Sequence, residues 1–126
     1  MVAPELAATH RAPWARWRGP ISWLCFVSFA LLVPADLFSS APSVDSSIGI
    51  DKLVHFGLFF GLSRSWYLAI RIKGAGRIVW SFLIALCLGA GLEILLMVLS
   101  WRSGEVGDAL ADALGAAVGI AWAHWR

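Results

Sequence analysis

Ionisable side chains interrupt the apolar stretches of this chain, and their types suit acid–base chemistry or the binding of a charged group. Seven residues form this candidate polar cluster: Asp51, Lys52, His55, Glu93, Arg102, Asp108 and Asp112. His55 or Glu93 could act as a general base, and Asp51 could orient the imidazole as carboxylates commonly do. These three residues are the candidates for catalysis, although the stretch DKLVH has no recognised catalytic spacing and the chain has no nucleophile motif.

The other members of the polar cluster suit ligand binding. Lys52 and Arg102 could supply positive charge to a phosphate or carboxylate group. Asp108 and Asp112 are four residues apart, so a helix places them one turn apart on one face. Carboxylates and imidazole could also hold a divalent metal, but no metal site is assigned to these residues and the sequence identifies no cofactor.

The composition decides the environment in which these residues act. The chain has 126 residues, of which 60% are hydrophobic and 14% are charged, and its mean hydropathy is +0.76. Charged residues make up about a quarter of an ordinary soluble domain. The chain is therefore predicted to be an integral membrane protein, with the lipid bilayer as its first partner.

Four apolar runs are long enough to cross a bilayer as helices, which takes about 20 residues. They cover residues 21–38, 53–70, 78–101 and 109–125. Backbone polar groups must be satisfied within each span, which favours α-helices, and short connections make neighbouring helices antiparallel. We predict an all-α fold, a bundle of four transmembrane helices over residues 21–126, preceded by a basic cytoplasmic segment over residues 1–20. The basic leader also fits a cleavable signal peptide, but the first run is long enough to remain as an anchor.

Basic residues predict the orientation of the bundle. Most of them flank both termini and the second connection: Arg11, Arg16, Arg18, Arg71, Lys73, Arg77 and Arg126. Lys52 and Arg102 flank the opposite side, where most of the acidic residues also fall. Because basic residues concentrate on the cytoplasmic side of membrane proteins, both termini are predicted to be cytoplasmic and the polar cluster to lie toward the outer side.

Small residues mark the helix faces that can pack closely. They recur every four residues in the second and fourth runs: Gly57, Gly61 and Ser65, then Gly107, Ala111, Gly115 and Gly119. Such stripes bring helix backbones together in lipid, and Asp112 shares a face with the last two glycines. We therefore expect the second, third and fourth helices to converge around His55, Glu93 and Asp112. Asp51 is expected to cap the second helix.

Three short motifs, in this order, are similar to those of the VanZ-like membrane proteins. They are DKLVHF at residues 51–56, GLEILL at 91–96 and RSGEVGDALADALGAAVG at 102–119. The family pattern runs D-K-x-x-H-F, then E-x-x-Q, then R-x-x-x-x-x-D followed by A-N-x-x-G, and Leu96 and Asp112 depart from its Gln and Asn. The resemblance implies a four-span protein of the bacterial cytoplasmic membrane in the context of resistance to the glycopeptide antibiotic teicoplanin, and it implies no particular reaction.

Several functions remain open from the sequence. The first is an accessory or binding protein of the cell envelope, whose partner would be a lipid-linked envelope precursor or another membrane protein. The alternative is a small intramembrane enzyme, a hydrolase or transferase that acts on an envelope lipid. The third possibility is a transporter or proton relay. The fourth is a structural role, in which the polar cluster only holds the helices together. No basic patch interleaved with aromatic residues lies away from the inner membrane surface, so nucleic acid is not an expected partner.

Overall fold

Four α-helices account for most of the structure, a computed structural model that describes residues 12–33, 47–99 and 106–126. They are α1 (Arg18–Leu32), α2 (Ser47–Ala69), α3 (Ala75–Val98) and α4 (Val106–Trp125), and a 3-10 turn over Pro13–Trp17 leads into α1. The described ranges contain no strand. The predicted all-α class is therefore confirmed for this part of the chain.

α1 ends earlier than the first apolar run, which is expected to reach residue 38. Val33 leaves the helical conformation, with φ −68° and ψ 123°. A proline disfavours the helical conformation in the residue that precedes it, and Pro34 follows Val33 in the sequence. The expectation of one helix over residues 21–38 is therefore wrong, since α1 begins at Arg18 and ends at Leu32.

α2 begins before the second apolar run, and this changes the role of Asp51. The helix starts at Ser47 rather than at residue 53, so Asp51 lies inside it, one turn after the first residue. A capping residue lies at the boundary of a helix and not within it. The expectation that Asp51 caps α2 is therefore wrong.

A short connection reverses the chain between α2 and α3. Gly74 has φ 68°, a left-handed conformation that glycine adopts without steric cost. The backbone N–H of Arg77 donates to the Gly74 carbonyl oxygen at 3.1 Å, and Arg77 Nε donates to the Tyr67 carbonyl oxygen at 2.7 Å. These bonds hold α2 and α3 antiparallel and start α3 at Ala75, ahead of the apolar run that begins at residue 78.

A close backbone contact joins α2 to α4, which run parallel, since polar contacts at both ends of the pair have the same sequence offset of 57 residues. Gly115 lies against the carbonyl oxygen of Phe56, and Gly119 lies against the carbonyl oxygen of Phe60. A side chain at either glycine would overlap those backbone atoms. Ser63 adds a hydrogen bond across the contact, donating from Oγ to a backbone carbonyl oxygen of α4 at 2.9 Å. The glycine stripe of α4 thus sets the distance between the two helices.

α1 and α3 pack against other faces of α2 through aromatic side chains that lie over glycines. Trp23 of α1 covers Gly61 of α2, and Phe59 of α2 covers Gly89 of α3. Apolar side chains fill the space between these helices: Val27, Leu31, Leu58, Phe59, Leu62 and Leu96. α2 is thus the central helix and contacts each of the other three.

Two of the described helices are long and apolar enough to cross a membrane. α3 has 24 residues, with a mean hydropathy of 2.3 in its most apolar part, and α4 has 20 residues, with a corresponding value of 1.3. α1 has 15 residues, fewer than the roughly 20 that a span needs. α2 carries Lys52 and Arg64 within its apolar sequence. The predicted membrane character is thus found in two helices, and the four-span arrangement remains a proposal.

Replacing Gly115 with Ala is expected to destabilise the bundle, because the added methyl group would overlap the Phe56 carbonyl. Overpacking of this kind costs about 1–3 kcal/mol. Gly57→Ala is the matched control, since Gly57 faces open space and Ala is favoured over Gly in a helix by about 0.5–1 kcal/mol. Thermal unfolding in detergent should show a lower Tm for Gly115→Ala and an unchanged or higher Tm for Gly57→Ala. Equal shifts in the two variants would contradict the contact.

Candidate functional site

A buried hydrogen bond joins α2 to α4 near their N-terminal ends. His55 Nδ1 lies 2.9 Å from Asp112 Oδ1, and the two side chains are 8% and 10% exposed. The contact joins an imidazole nitrogen to a carboxylate oxygen across the two helices. The other ring nitrogen, Nε2, is also buried. In this arrangement the carboxylate holds the imidazole in one orientation, which suits acid–base chemistry.

An ion pair lies one turn nearer the end of the bundle. Lys52 Nζ is 3.8 Å from Asp108 Oδ1, and the side chains are 32% and 7% exposed, respectively. Gly107 makes room for the lysine, because a side chain at that position would overlap Lys52 Cε. Lys52 therefore lies across the start of α4 and remains partly open to the surroundings, whereas Asp108 is enclosed.

Glu93 of α3 lies near these two pairs of residues. Its side chain is half-buried and close enough to His55, Asp108 and Asp112 for their charges to act on it. One turn earlier in α3, a Cβ on Gly89 would lie 3.8 Å from Asp112 Oδ2, so the α3 backbone passes beside that carboxylate. Three helices thus meet around the histidine–aspartate pair, as expected, and the α4 stripe faces α2. The expectation for the α2 stripe is wrong, because Gly57 faces open space and Gly61 packs against Trp23 of α1.

Asp51 and Arg102 complete the polar cluster predicted from the sequence. Asp51 belongs to α2, one turn before His55, and its side chain lies outside the described part of the structure. Arg102 lies outside the described residues altogether. Among the side chains that are described, no group of three His, Cys, Asp or Glu residues is arranged to hold a metal ion. The catalytic and ligand-binding roles of the cluster stay predictions.

A second polar contact, at the opposite end of α2 and α4, is not among the sequence predictions. The Tyr67 hydroxyl and His124 Nδ1 lie 2.7 Å apart, and the Arg77 guanidinium lies over the Tyr67 ring, 4.2 Å from its centroid. Tyr67 and His124 are 57 residues apart, the same offset as that between His55 and Asp112. Parallel helices keep a nearly constant offset along their contact, so this repeated spacing of polar residues is the signal that identifies the pair.

Comparison with protein-family models, curated proteins and solved structures finds no match for this chain. The similarity to VanZ-like proteins is therefore carried by its three short motifs and stays a prediction. Evidence for function comes from the geometry of the polar cluster, which places a histidine–carboxylate pair, a lysine–carboxylate pair and a nearby glutamate inside one end of a helical bundle.

The hydrogen bond between His55 and Asp112 is expected to couple the two residues energetically. Removing either partner deprives the other of a buried hydrogen bond, whereas removing both avoids that cost. In a double-mutant cycle of His55→Ala and Asp112→Ala, unfolding in detergent should give a coupling free energy of about 1–2 kcal/mol.

The ion pair of Lys52 and Asp108 provides the matched control cycle, made with the same substitutions to Ala. The lysine is partly exposed, so solvent screening should keep this coupling below about 1 kcal/mol. Additive effects in the cycle of His55 and Asp112 would contradict the hydrogen bond.

Proposed function

We propose that the chain is a multi-pass membrane protein in which all four helices contact lipid. Large apolar side chains are exposed on every described helix, among them Phe29, Leu53, Val98 and Leu110. Several polar side chains are buried instead: His55, Ser63, Ser81, Asp108 and Asp112. A water-soluble protein has the reverse distribution, because its charged residues are almost never fully buried and its surface lacks extended apolar patches. Lipid is the solvent that fits this surface.

The charge distribution supports an orientation with both termini in the cytoplasm. The connection from α2 to α3 carries Arg71 and Lys73, and Arg77 follows in the first turn of α3. The polar cluster lies at the opposite ends of these helices, where α2 and α4 begin. Because basic residues concentrate on the cytoplasmic side, the polar cluster belongs to the outer side. The similarity to VanZ-like motifs supports the cytoplasmic membrane of a bacterium as the location.

Cysteine labelling distinguishes a topology with four transmembrane helices from one in which only α3 and α4 cross the membrane. The native cysteines are Cys25 and Cys87, and replacing both with Ala gives a background without thiols. With four spans, Ser43→Cys and Ser103→Cys both lie outside and should react with a membrane-impermeant maleimide in whole cells. With only α3 and α4 across the membrane, Ser43→Cys is protected while Ser103→Cys reacts. Lys73→Cys should be protected in both cases, and its labelling in intact cells would contradict the orientation.

The function supported best is that of a VanZ-like accessory protein of the cell envelope that binds an anionic ligand at its outer surface. The different exposure of residues in the polar cluster supports this proposal. Lys52 is partly exposed at the end of the bundle, whereas His55 and Asp112 are enclosed one turn further inside. Asp108 positions the lysine side chain, and a part-exposed ammonium group suits a phosphate. Arg102 would add a second positive charge. A lipid-linked envelope precursor presents such a phosphate at the headgroup level, in the context of teicoplanin resistance or envelope maintenance.

Loss of the positive charge at Lys52 is expected to weaken ligand binding. Lys52→Gln alone would deprive the enclosed Asp108 carboxylate of its ion pair, so the test variant is the charge-neutral double substitution Lys52→Gln/Asp108→Asn. Binding of a polyprenyl phosphate to the protein in nanodiscs of neutral lipid should fall about tenfold or more, the effect of one hydrogen bond to a charged group.

Arg64→Gln is the control for the loss of a positive charge elsewhere on α2. It removes one positive charge from an exposed position of the same helix, and it should bind polyprenyl phosphate as the wild type does. Unchanged binding by the double variant, or an equal loss in Arg64→Gln, would contradict the proposed site.

A small intramembrane enzyme is the second candidate, and the hydrogen bond between His55 and Asp112 favours it. With Asp112 orienting the imidazole, His55 would act as a general base on an envelope lipid. His55→Gln removes this base but keeps a polar side chain of similar reach. Loss of survival under teicoplanin, with normal expression and unchanged binding of polyprenyl phosphate, would favour the enzyme over the binding protein.

A further inference from the structure

The end of the bundle opposite the polar cluster contains a groove lined by basic side chains. The groove has a volume of about 440 Å³, and its lining comes from the ends of α2 and α4 and from the connection to α3. The polar residues among its lining are Tyr67, Arg71, Lys73, Arg77 and His124. None of its lining residues is acidic, so an anion that enters meets three positive charges without a competing carboxylate.

Tyr67 holds Arg77 in place at the edge of this groove. Arg77 Nε donates to the Tyr67 carbonyl oxygen at 2.7 Å, and the guanidinium carbon lies 4.2 Å from the centroid of the Tyr67 ring. The Tyr67 hydroxyl is in turn 2.7 Å from His124 Nδ1. A guanidinium group fixed in this way loses less conformational freedom on binding an anion than a mobile one does. Arg77 is therefore preorganised for contact with a phosphate.

A second groove, which is apolar, meets the basic groove at His124. It has a volume of about 290 Å³ and runs between α3 and α4. Its apolar lining residues are Ile78, Phe82, Ala117, Ile120, Ala121 and Trp125. His124 lines both grooves, and the sequence neighbours Arg77 and Ile78 line one groove each. The basic groove and the apolar groove are therefore adjacent at His124.

We infer that the two grooves together bind one anionic phospholipid on the cytoplasmic side of the membrane. The lipid phosphate contacts Arg71, Lys73 and Arg77, and an acyl chain lies along α3 and α4 in the apolar groove. Basic pockets between transmembrane helices on the cytoplasmic side suit such headgroups. The apolar groove favours a ligand that has an acyl chain over inorganic phosphate. The inference rests on the proposed membrane residence and orientation of the chain, and it is independent of the ligand at the polar cluster.

Thermal stabilisation by added lipid tests this inference. The full chain in a neutral detergent is titrated with phosphatidylglycerol, phosphatidylcholine or inorganic phosphate, and only phosphatidylglycerol should raise the Tm strongly. Lys73→Gln should weaken its apparent affinity about fivefold, the effect of one basic residue near an anionic lipid. Arg71→Gln/Lys73→Gln should weaken it about 25-fold. Ala117→Phe narrows the apolar groove without changing any charge, and it should also weaken the response.

Arg64→Gln is again the control, because Arg64 is exposed on α2 and lines neither groove. It should respond to phosphatidylglycerol as the wild type does. An equal loss in Arg64→Gln and Lys73→Gln, or an equal response to inorganic phosphate, would overturn the lipid site. Recovery of the chain in the soluble fraction of cells would overturn the membrane proposal itself, whereas a membrane-embedded chain that ignores phosphatidylglycerol overturns this inference alone.

Discussion

The close approach of α2 and α4 at Gly115 and Gly119 is the contact on which the rest of the structure depends. These glycines lie against carbonyl oxygens of α2, so any larger side chain would move the helices apart. A hydrogen bond is lost when its donor and acceptor separate beyond about 3.5 Å. The bond between His55 and Asp112, at 2.9 Å, tolerates little such movement. The polar contacts between the helices therefore form only because the two backbones touch.

Burying charged groups among apolar helices costs free energy, and pairing limits that cost in the polar cluster. A charged side chain near the centre of a membrane helix costs on the order of 2.5–3.5 kcal/mol. Asp112 faces His55, and Asp108 faces Lys52. Such pairs still contribute little net stability, since apolar residues of similar shape often replace them without loss. Net stability alone therefore does not explain the presence of these four ionisable groups.

The helices follow from hydropathy, and the close-packing face of α4 follows from the spacing of its small residues, whereas the helix ends and the packing face of α2 do not. In α2, Gly57 faces open space and Gly61 packs against Trp23 of α1. Local rules decide the ends: the proline after Val33 stops α1, and α2 extends far enough to enclose Asp51. The contact between Tyr67 and His124 leaves no periodic pattern within either helix. It depends on the register between two helices that are distant in sequence, which hydropathy alone does not determine.

The glycine stripe of α4 sets the distance between α2 and α4 but leaves their register along the axis undetermined. A stripe that repeats every four residues offers similar contacts when one helix moves by one turn. Moving α4 so that the offset falls by four residues from 57 would set Asp112 against Phe59 and Tyr67 against Ile120. Each buried polar group would lose its imidazole partner, at about 1–3 kcal/mol. The polar contacts at the two ends of the helix pair therefore specify one register, as buried polar residues do in coiled coils, and that register assembles the polar cluster.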